Sequence, residues 1–320
     1  VEPGEIGHVV FGHVINTEPK DMYLARVAAV GAGIPVEAPA LTVNRLCGSG
    51  AQAVVSAAQH LMLGDADFAL AGGAESMSRS PHAIRVARAG QKMGDAPVID
   101  MMVGALSDPF KGIHMGVTAE NVAAEHQIGR EEQDAFALES QRRAATAIAE
   151  GRFRDQIVPI EVEARRQRVA FDTDEHPKAN TTAEGLAALR PVFRKDGSVT
   201  AGNASGINDG AAAVVLATAK AAARKGLAPK ARLVGYAHAG VRPEVMGIGP
   251  VPAVTRLLEK TGLRAEDFDV VESNEAFAAQ ACAVNRNLGL DPAKVNPNGG
   301  AIALGHPIGA TGAILLIKAM

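Results

Sequence analysis

The sequence predicts an α/β protein made of two similar units, on three observations. Short apolar runs of strand type alternate with alanine-rich helical patterns. A strand, glycine turn and helix near the start is echoed near the end. Glycine supplies 34 of 320 residues, above the ~7% typical of soluble proteins, and it gathers where a backbone needs room or positive φ.

In chain order, Val9–Phe11, Ala40–Val43 and Phe68–Ala71 read as strands, followed later by Ala212–Leu216, Ala231–Tyr236 and Phe268–Glu272. Ala51–Leu63, Pro252–Thr261 and Ala276–Leu288 read as helices, the last two stopping at Gly262 and Gly289. The middle, from about Ser78 to Asn203, is polar and carries an amphipathic helix, Arg130–Glu150, ending at Gly151. We read it as an insertion bearing specificity or assembly surfaces. Its arginines 152, 154, 165, 166 and 168 form either a solvated face or a receiver for a phosphorylated ligand.

Composition narrows the function. With 47% hydrophobic and 21% charged residues, disorder, collagen and coiled coil have no support. A net charge of −3 gives no basic field for nucleic acid or anionic membrane, and no apolar run reaches the ~20 residues of a membrane span. Two cysteines, Cys47 and Cys282, make no disulfide framework and no metal-ligand spacing, which suits a cytoplasmic protein without a metal. The start at Val1 and the end at Met320, inside the apolar run Ala313–Ala319, read as a chain cut at both ends.

Cys47 follows a strand and precedes Gly48-Ser49-Gly50 at a helix start, where free N–H groups and the helix dipole favour thiolate. It is either a nucleophile or a small core residue. Gly48-Ser49-Gly50-Ala51-Gln52-Ala53 also fits a dinucleotide fingerprint, but the acids that should meet the ribose, Asp65 and Asp67, lie before the next strand instead of after it. The echoed segment, Val295-Asn296-Pro297 through Gly312, lacks the Gly-Lys-Ser/Thr of a phosphate loop and instead holds His306 between Gly305 and Pro307, a stiff mounting for a general base. Asn274 either caps the following helix or binds a water or oxyanion, and Glu275 reads as a first-turn acid. Cys282 reads as packing. His114-Met115 is core, loop or pocket wall, and Ser205 is a ligand donor or a cap.

Taken together, Asn44-Arg45-Leu46-Cys47-Gly48-Ser49-Gly50, Gly72-Gly73-Ala74-Glu75-Ser76-Met77-Ser78, His114-Met115-Gly116, Ala201 to Gly206, Asn274-Glu275-Ala276-Phe277-Ala278 and Gly305-His306-Pro307-Ile308-Gly309 resemble, in order, the motifs of thiolases, above all bacterial acetyl-CoA acetyltransferases and β-ketothiolases. The resemblance implies a five-layer α-β-α-β-α fold. Residues 1–76 with 208–226 would form the first half, 77–207 a loop domain for coenzyme A and oligomer contacts, and 227–320 the second half. It implies acyl transfer through Cys47, with His306 taking the thiol proton and Asn274, through a water, helping to hold an oxyanion. Ser205 and Lys178 match positions that touch coenzyme A, and His114, Met115 and Phe277 match channel walls. No bound cofactor is implied beyond coenzyme A thioesters as substrates, and a homo-oligomer, tetramer or dimer, is expected. The family's second reactive cysteine, in a Cys-x-Gly-Gly-Gly turn, would lie past Met320, so impaired turnover is the expectation for these 320 residues. A broader-chain β-ketothiolase and an inactive coenzyme A binding fragment are the alternatives.

Overall fold

A computed structural model describes residues 1–86, 88–164 and 167–320. Strand β1 (His8–Gly12), helix α1 (Leu24–Gly31) and β2 (Ala40–Val43) lead into α2 (Ser49–Leu63), which returns to β3 (Phe68–Ser76). Two short strands, β4 (His82–Ile84) and β5 (Val98–Asp100), pair before α3 (Met101–Ala105), α4 (Met115–His126) and α5 (Arg130–Ala149). A second hairpin, β6 (Ile160–Ala164) and β7 (Gln167–Phe171), precedes α6 (Ala183–Ala187). Then β8 (Asp209–Ala217) rejoins the main sheet, and the chain continues through α7 (Ala219–Arg224), α8 (Pro250–Thr261), α9 (Ala278–Leu288), α10 (Ala301–Leu304) and α11 (Thr311–Lys318).

The main sheet runs β2-β1-β3-β8, with β1 parallel to both neighbours and β8 antiparallel to β3. All five residues of β1 are buried, as expected of a parallel strand covered on both faces. Alternation then divides its side chains. Val9 and Phe11 join Ala25 and Ala29 of α1 on one face, while Val10 joins Ala53, Ala57 and Leu61 of α2 on the other. The chain between β3 and β8 is inserted between two adjacent strands, and its α4 packs on α9 through Val122, Ala123, Ala279 and Ala283.

The predicted helix stops hold, since Gly262 and Gly289 cap in the left-handed region, and Gly64 does the same after α2. Two predicted strands do not form. Ala231–Tyr236 is irregular and leaves Leu233 and Val234 exposed, while Phe268–Glu272 makes one parallel bridge, Val271 to Val295. A strand is stable only with a hydrogen-bonded neighbour along its length; among the described residues the first segment has no ladder partner and the second only this single bridge. The arginine cluster is also dispersed. Arg152 pairs with Glu150 and donates to Asn298, Arg168 stands 3.6 Å from Glu161, and Arg165 and Arg166 lie outside the described residues.

Candidate active site

Cys47 sits on a tight elbow between β2 and α2. Leu46 takes φ +46°, a conformation side chains rarely adopt, and four bonds hold it there. The Leu46 amide donates to Asn44 Oδ1, the Ser49 hydroxyl donates to Leu46 O at 2.7 Å, Arg45 N donates to Ser49 Oγ at 2.8 Å, and Ser49 N closes on Leu46 O. The sulfur packs beside Ile15, Met77 and Ile308. Burial pushes the thiol up to about 11, and the negative charge of Glu75 adds to the rise. This corrects the expectation of a resting thiolate. The amides of Gly48 and Ser49 are already engaged by Arg45 O and Leu46 O, so little of the helix start is left to offset desolvation.

His306 occupies the matching turn before α11 and is 5% exposed. Burial lowers its pKa to about 4, leaving a neutral ring at physiological pH. The hydrogen-bond network fixes its tautomer. Thr311 Oγ1 donates its single proton to Pro307 O at 2.9 Å and lies 2.6 Å from His306 Nδ1; it therefore accepts from Nδ1–H, and Nε2 keeps its lone pair. Asn208 Oδ1 accepts from the His306 amide at 2.9 Å, anchoring the turn to the loop before β8.

The two turns dock backbone against backbone. A Cβ on Gly50 would come within 2.7 Å of Ala313 N, and one on Gly12 within 2.5 Å of Gly309 O, so glycine there is a condition of the approach. The two helix starts thus face each other, with Gly312 of α11 meeting Ala51 of α2.

Asn274 does not cap a helix. Phe277 is the N-cap of α9, and Asn274 instead donates from Nδ2 to His306 Nε2 at 3.3 Å while its buried Oδ1 has no partner among the described residues. That oxygen can accept from a water. Glu275 is not a first-turn acid either: it is buried, accepts from Ser140 Oγ and Asn296 Nδ2, both at 2.7 Å, and so ties α5 to the second turn. Burial raises its pKa.

His114 is the N-cap of α4, its Nδ1 accepting from Gly116 N at 3.0 Å, and Met115 opens the helix half-buried. The His114 ring stacks on Phe193 at 4.7 Å, and Phe193 meets Phe277 edge-on at 6.2 Å, giving an aromatic wall. Ser205 donates from Oγ to Ala276 O at 3.1 Å, beside the bridge between Ala204 and Phe277. Exposed Lys178 borders a cavity of about 610 Å³ with His176, Thr181, Leu186, Ala204 and Gly206. Cys282 is buried in α9 beside Glu132 and Arg286, and burial pushes its thiol up to about 12.

Phe193, Asn208, Thr311 and Glu75 contact the candidate site residues or their turns, and the sequence reading left them unassigned. Glu75 had a visible signal, a carboxylate closing an otherwise apolar strand, and Thr311 lies five residues from His306 at a helix start. Phe193, inside a polar insertion, had none.

The thiolase N-terminal domain matches residues 1–220 and the thiolase C-terminal domain residues 227–320. Beta-ketothiolase BktB of Cupriavidus necator is 63% identical over 321 residues, covering 100% of this chain and 82% of that protein. An acetyl-CoA acetyltransferase of Pseudomonas aeruginosa is 53% identical, covering 99% and 81%. Among solved structures, the acetyl-CoA acetyltransferase of Bacillus anthracis superposes with a TM-score of 0.96 at 50% identity, covering 99% of this chain and 80% of that one. Human mitochondrial 3-ketoacyl-CoA thiolase in complex with CoA gives 0.96 at 47%, covering 99% and 80%.

Proposed function

This chain belongs to the thiolase family, and we propose that Cys47 is the residue that carries the acyl group and His306 its general base. Thiolases exchange acyl groups between coenzyme A thioesters, joining two acetyl-CoA into acetoacetyl-CoA plus CoA or running the reverse thiolysis on a short 3-oxoacyl-CoA. The observation that carries the assignment is the neutral His306 ring, its Nδ1–H locked on Thr311 and its Nε2 lone pair turned to the Asn274 amide, on a turn docked against the elbow of a protonated Cys47.

The first half-reaction follows. Nε2 gives up the Asn274 amide and takes the Cys47 proton as sulfur attacks the thioester carbonyl. The carbonyl carbon's bond to the coenzyme A sulfur then breaks, and the departing thiolate recovers the proton from His306. The products are acetyl-Cys47 and CoA-SH. Asn274 contributes an amide donor beside Nε2 and an unpaired Oδ1 for a bridging water, a pair of groups able to hold an oxyanion in a site with little water. In the second half-reaction a carbanion formed at the α-carbon of a second acetyl-CoA attacks acetyl-Cys47, expelling the Cys47 sulfur. The base for that α-proton corresponds by family resemblance to a cysteine outside the two of this sequence.

The aromatic wall of His114, Phe193 and Phe277, with Met115, lines the acyl and pantetheine path. Lys178 and Ser205 border the site of the coenzyme A arm. The same reading divides the chain into a first half of residues 1–76 with 208–226, a coenzyme A and assembly segment 77–207, and a second half 227–320, in a cytoplasmic homotetramer or dimer. A broader chain-length range is favoured by the 63% identity to a β-ketothiolase; comparing Cys47 acylation by acetyl-CoA and hexanoyl-CoA decides it. The test of the central assignment is intact-mass analysis after incubation with acetyl-CoA. An acetyl adduct on Cys47 is expected, and its absence overturns the reading.

A further inference from the structure

Glu75 is 4% exposed near the end of β3, and no step of acyl transfer uses it. Three backbone amides converge on its carboxylate. Oε2 accepts from Val14 N at 3.1 Å and from Gly309 N at 2.9 Å, and Oε1 accepts from Ile15 N at 3.0 Å. Val14 and Ile15 follow β1, whereas Gly309 belongs to the His306 turn, so this single side chain ties the two halves together. Ile15 and Ile308, each adjacent to or among those donors, are the residues against which Cys47 packs. His13 completes the shell, its Nδ1 donating to Ala74 O at 2.8 Å and standing 3.6 Å from Oε1.

We propose that Glu75 is a positioning residue for acyl transfer, an ionised clamp that holds the His306 turn on the ends of β1 and β3 so that Cys47 and Nε2 stay within reach of one proton transfer. The inference rests on the assignment of Cys47 and His306 above. Chemistry explains why a carboxylate stands there. Three N–H donors need an acceptor-only group with several lone pairs, and an amide in either orientation would turn its own NH₂ against at least one of them. Charge-assisted bonds are also the stronger ones. Burial is the larger influence and raises the Glu75 pKa, while the three amides and His13 offset part of that rise and favour the ionised form. The clamp has a second effect, since its negative charge adds to the rise that burial already imposes on the Cys47 thiol.

Those two effects point in opposite directions, which separates positioning from general damage. Glu75→Gln removes charge and one acceptor. It is expected to slow Cys47 acetylation about tenfold or more, while iodoacetamide titration shows the thiol ionising at lower pH than in wild type. Glu75→Asp keeps the charge but shortens the reach. It is expected to slow acetylation with the thiol titration unmoved, and it remains informative if the Gln variant does not fold. Wild-type acetylation rates in both variants overturn the proposal, as does slowed acetylation in Glu75→Gln with an unchanged thiol titration. If wild type itself takes no acetyl group, the assignment of Cys47 falls, whereas the effect of Glu75 on the thiol titration is still read independently.

Discussion

The Cys47 and His306 turns are built alike and held differently. Each leads into a helix and each depends on glycine for its approach to the other, although the first turn leaves strand β2 and the second leaves the short helix α10. The bonds of the first turn hold only its backbone and leave the half-buried Cys47 sulfur unbonded. In the second the side chain itself is fixed, from Nδ1 by Thr311 and from its own amide by Asn208, inside a buried shell. The contrast matches the two roles. A nucleophile must travel toward a carbonyl and then carry an acyl group, whereas a base works best in one orientation and one tautomer. Both members of the pair are uncharged at rest, so desolvation penalises neither.

Breaking the mobile side of the comparison has the largest effect. Cys47→Ala abolishes the acetyl adduct, measured by intact mass, and leaves coenzyme A binding by calorimetry in place. Removing the fixed side comes next: His306→Ala lowers the acetylation rate by about 10²–10⁴, read by stopped-flow release of CoA. Thr311→Val keeps the base and removes its lock. Losing one buried hydrogen bond of ~1 kcal/mol should slow acetylation several-fold, with Thr311→Ser near wild type. The smallest effect belongs to the aromatic wall. Phe193→Ala should raise KM for acetyl-CoA a few-fold with kcat nearly unchanged, since His114 and Phe277 lose the ring between them. An equal fall in kcat would move Phe193 into the reacting centre.

Much of this was legible in the sequence, and the failures share a physical cause. Local signals held: the burial of Val9–Phe11, the glycine stops at positions 262 and 289, and the mounting of Cys47 and His306 on glycine turns each depend on a few neighbouring residues. Properties that depend on distant partners did not. Ala231–Tyr236 has strand composition, but pairing decides whether it becomes a strand. Asn274 leaves a cap and a water or oxyanion role open and Glu275 looks like a first-turn acid beside α9; tertiary contacts draw one to His306 and the other to Ser140 and Asn296. The thiolate expectation for Cys47 counted the helix start and missed the facts of folding: burial of the thiol first, then the engaged amides and the nearby Glu75. Phe193 and Thr311 matter because of what they touch, and sequence spacing records nothing of Phe193 meeting His114.

The pH profile of Cys47 acetylation tests the neutral pair most directly. His306 is depressed to about 4 and Cys47 raised to about 11, so in between the base is unprotonated and the nucleophile is a thiol. Wild type should therefore show a broad plateau across neutral pH, falling only as pH drops toward the His306 pKa. In His306→Ala the reaction depends on the thiolate alone and should climb about tenfold per pH unit toward alkaline pH. A wild-type rate that climbs with the same slope as the variant would contradict the account, because His306 would then take no proton from Cys47.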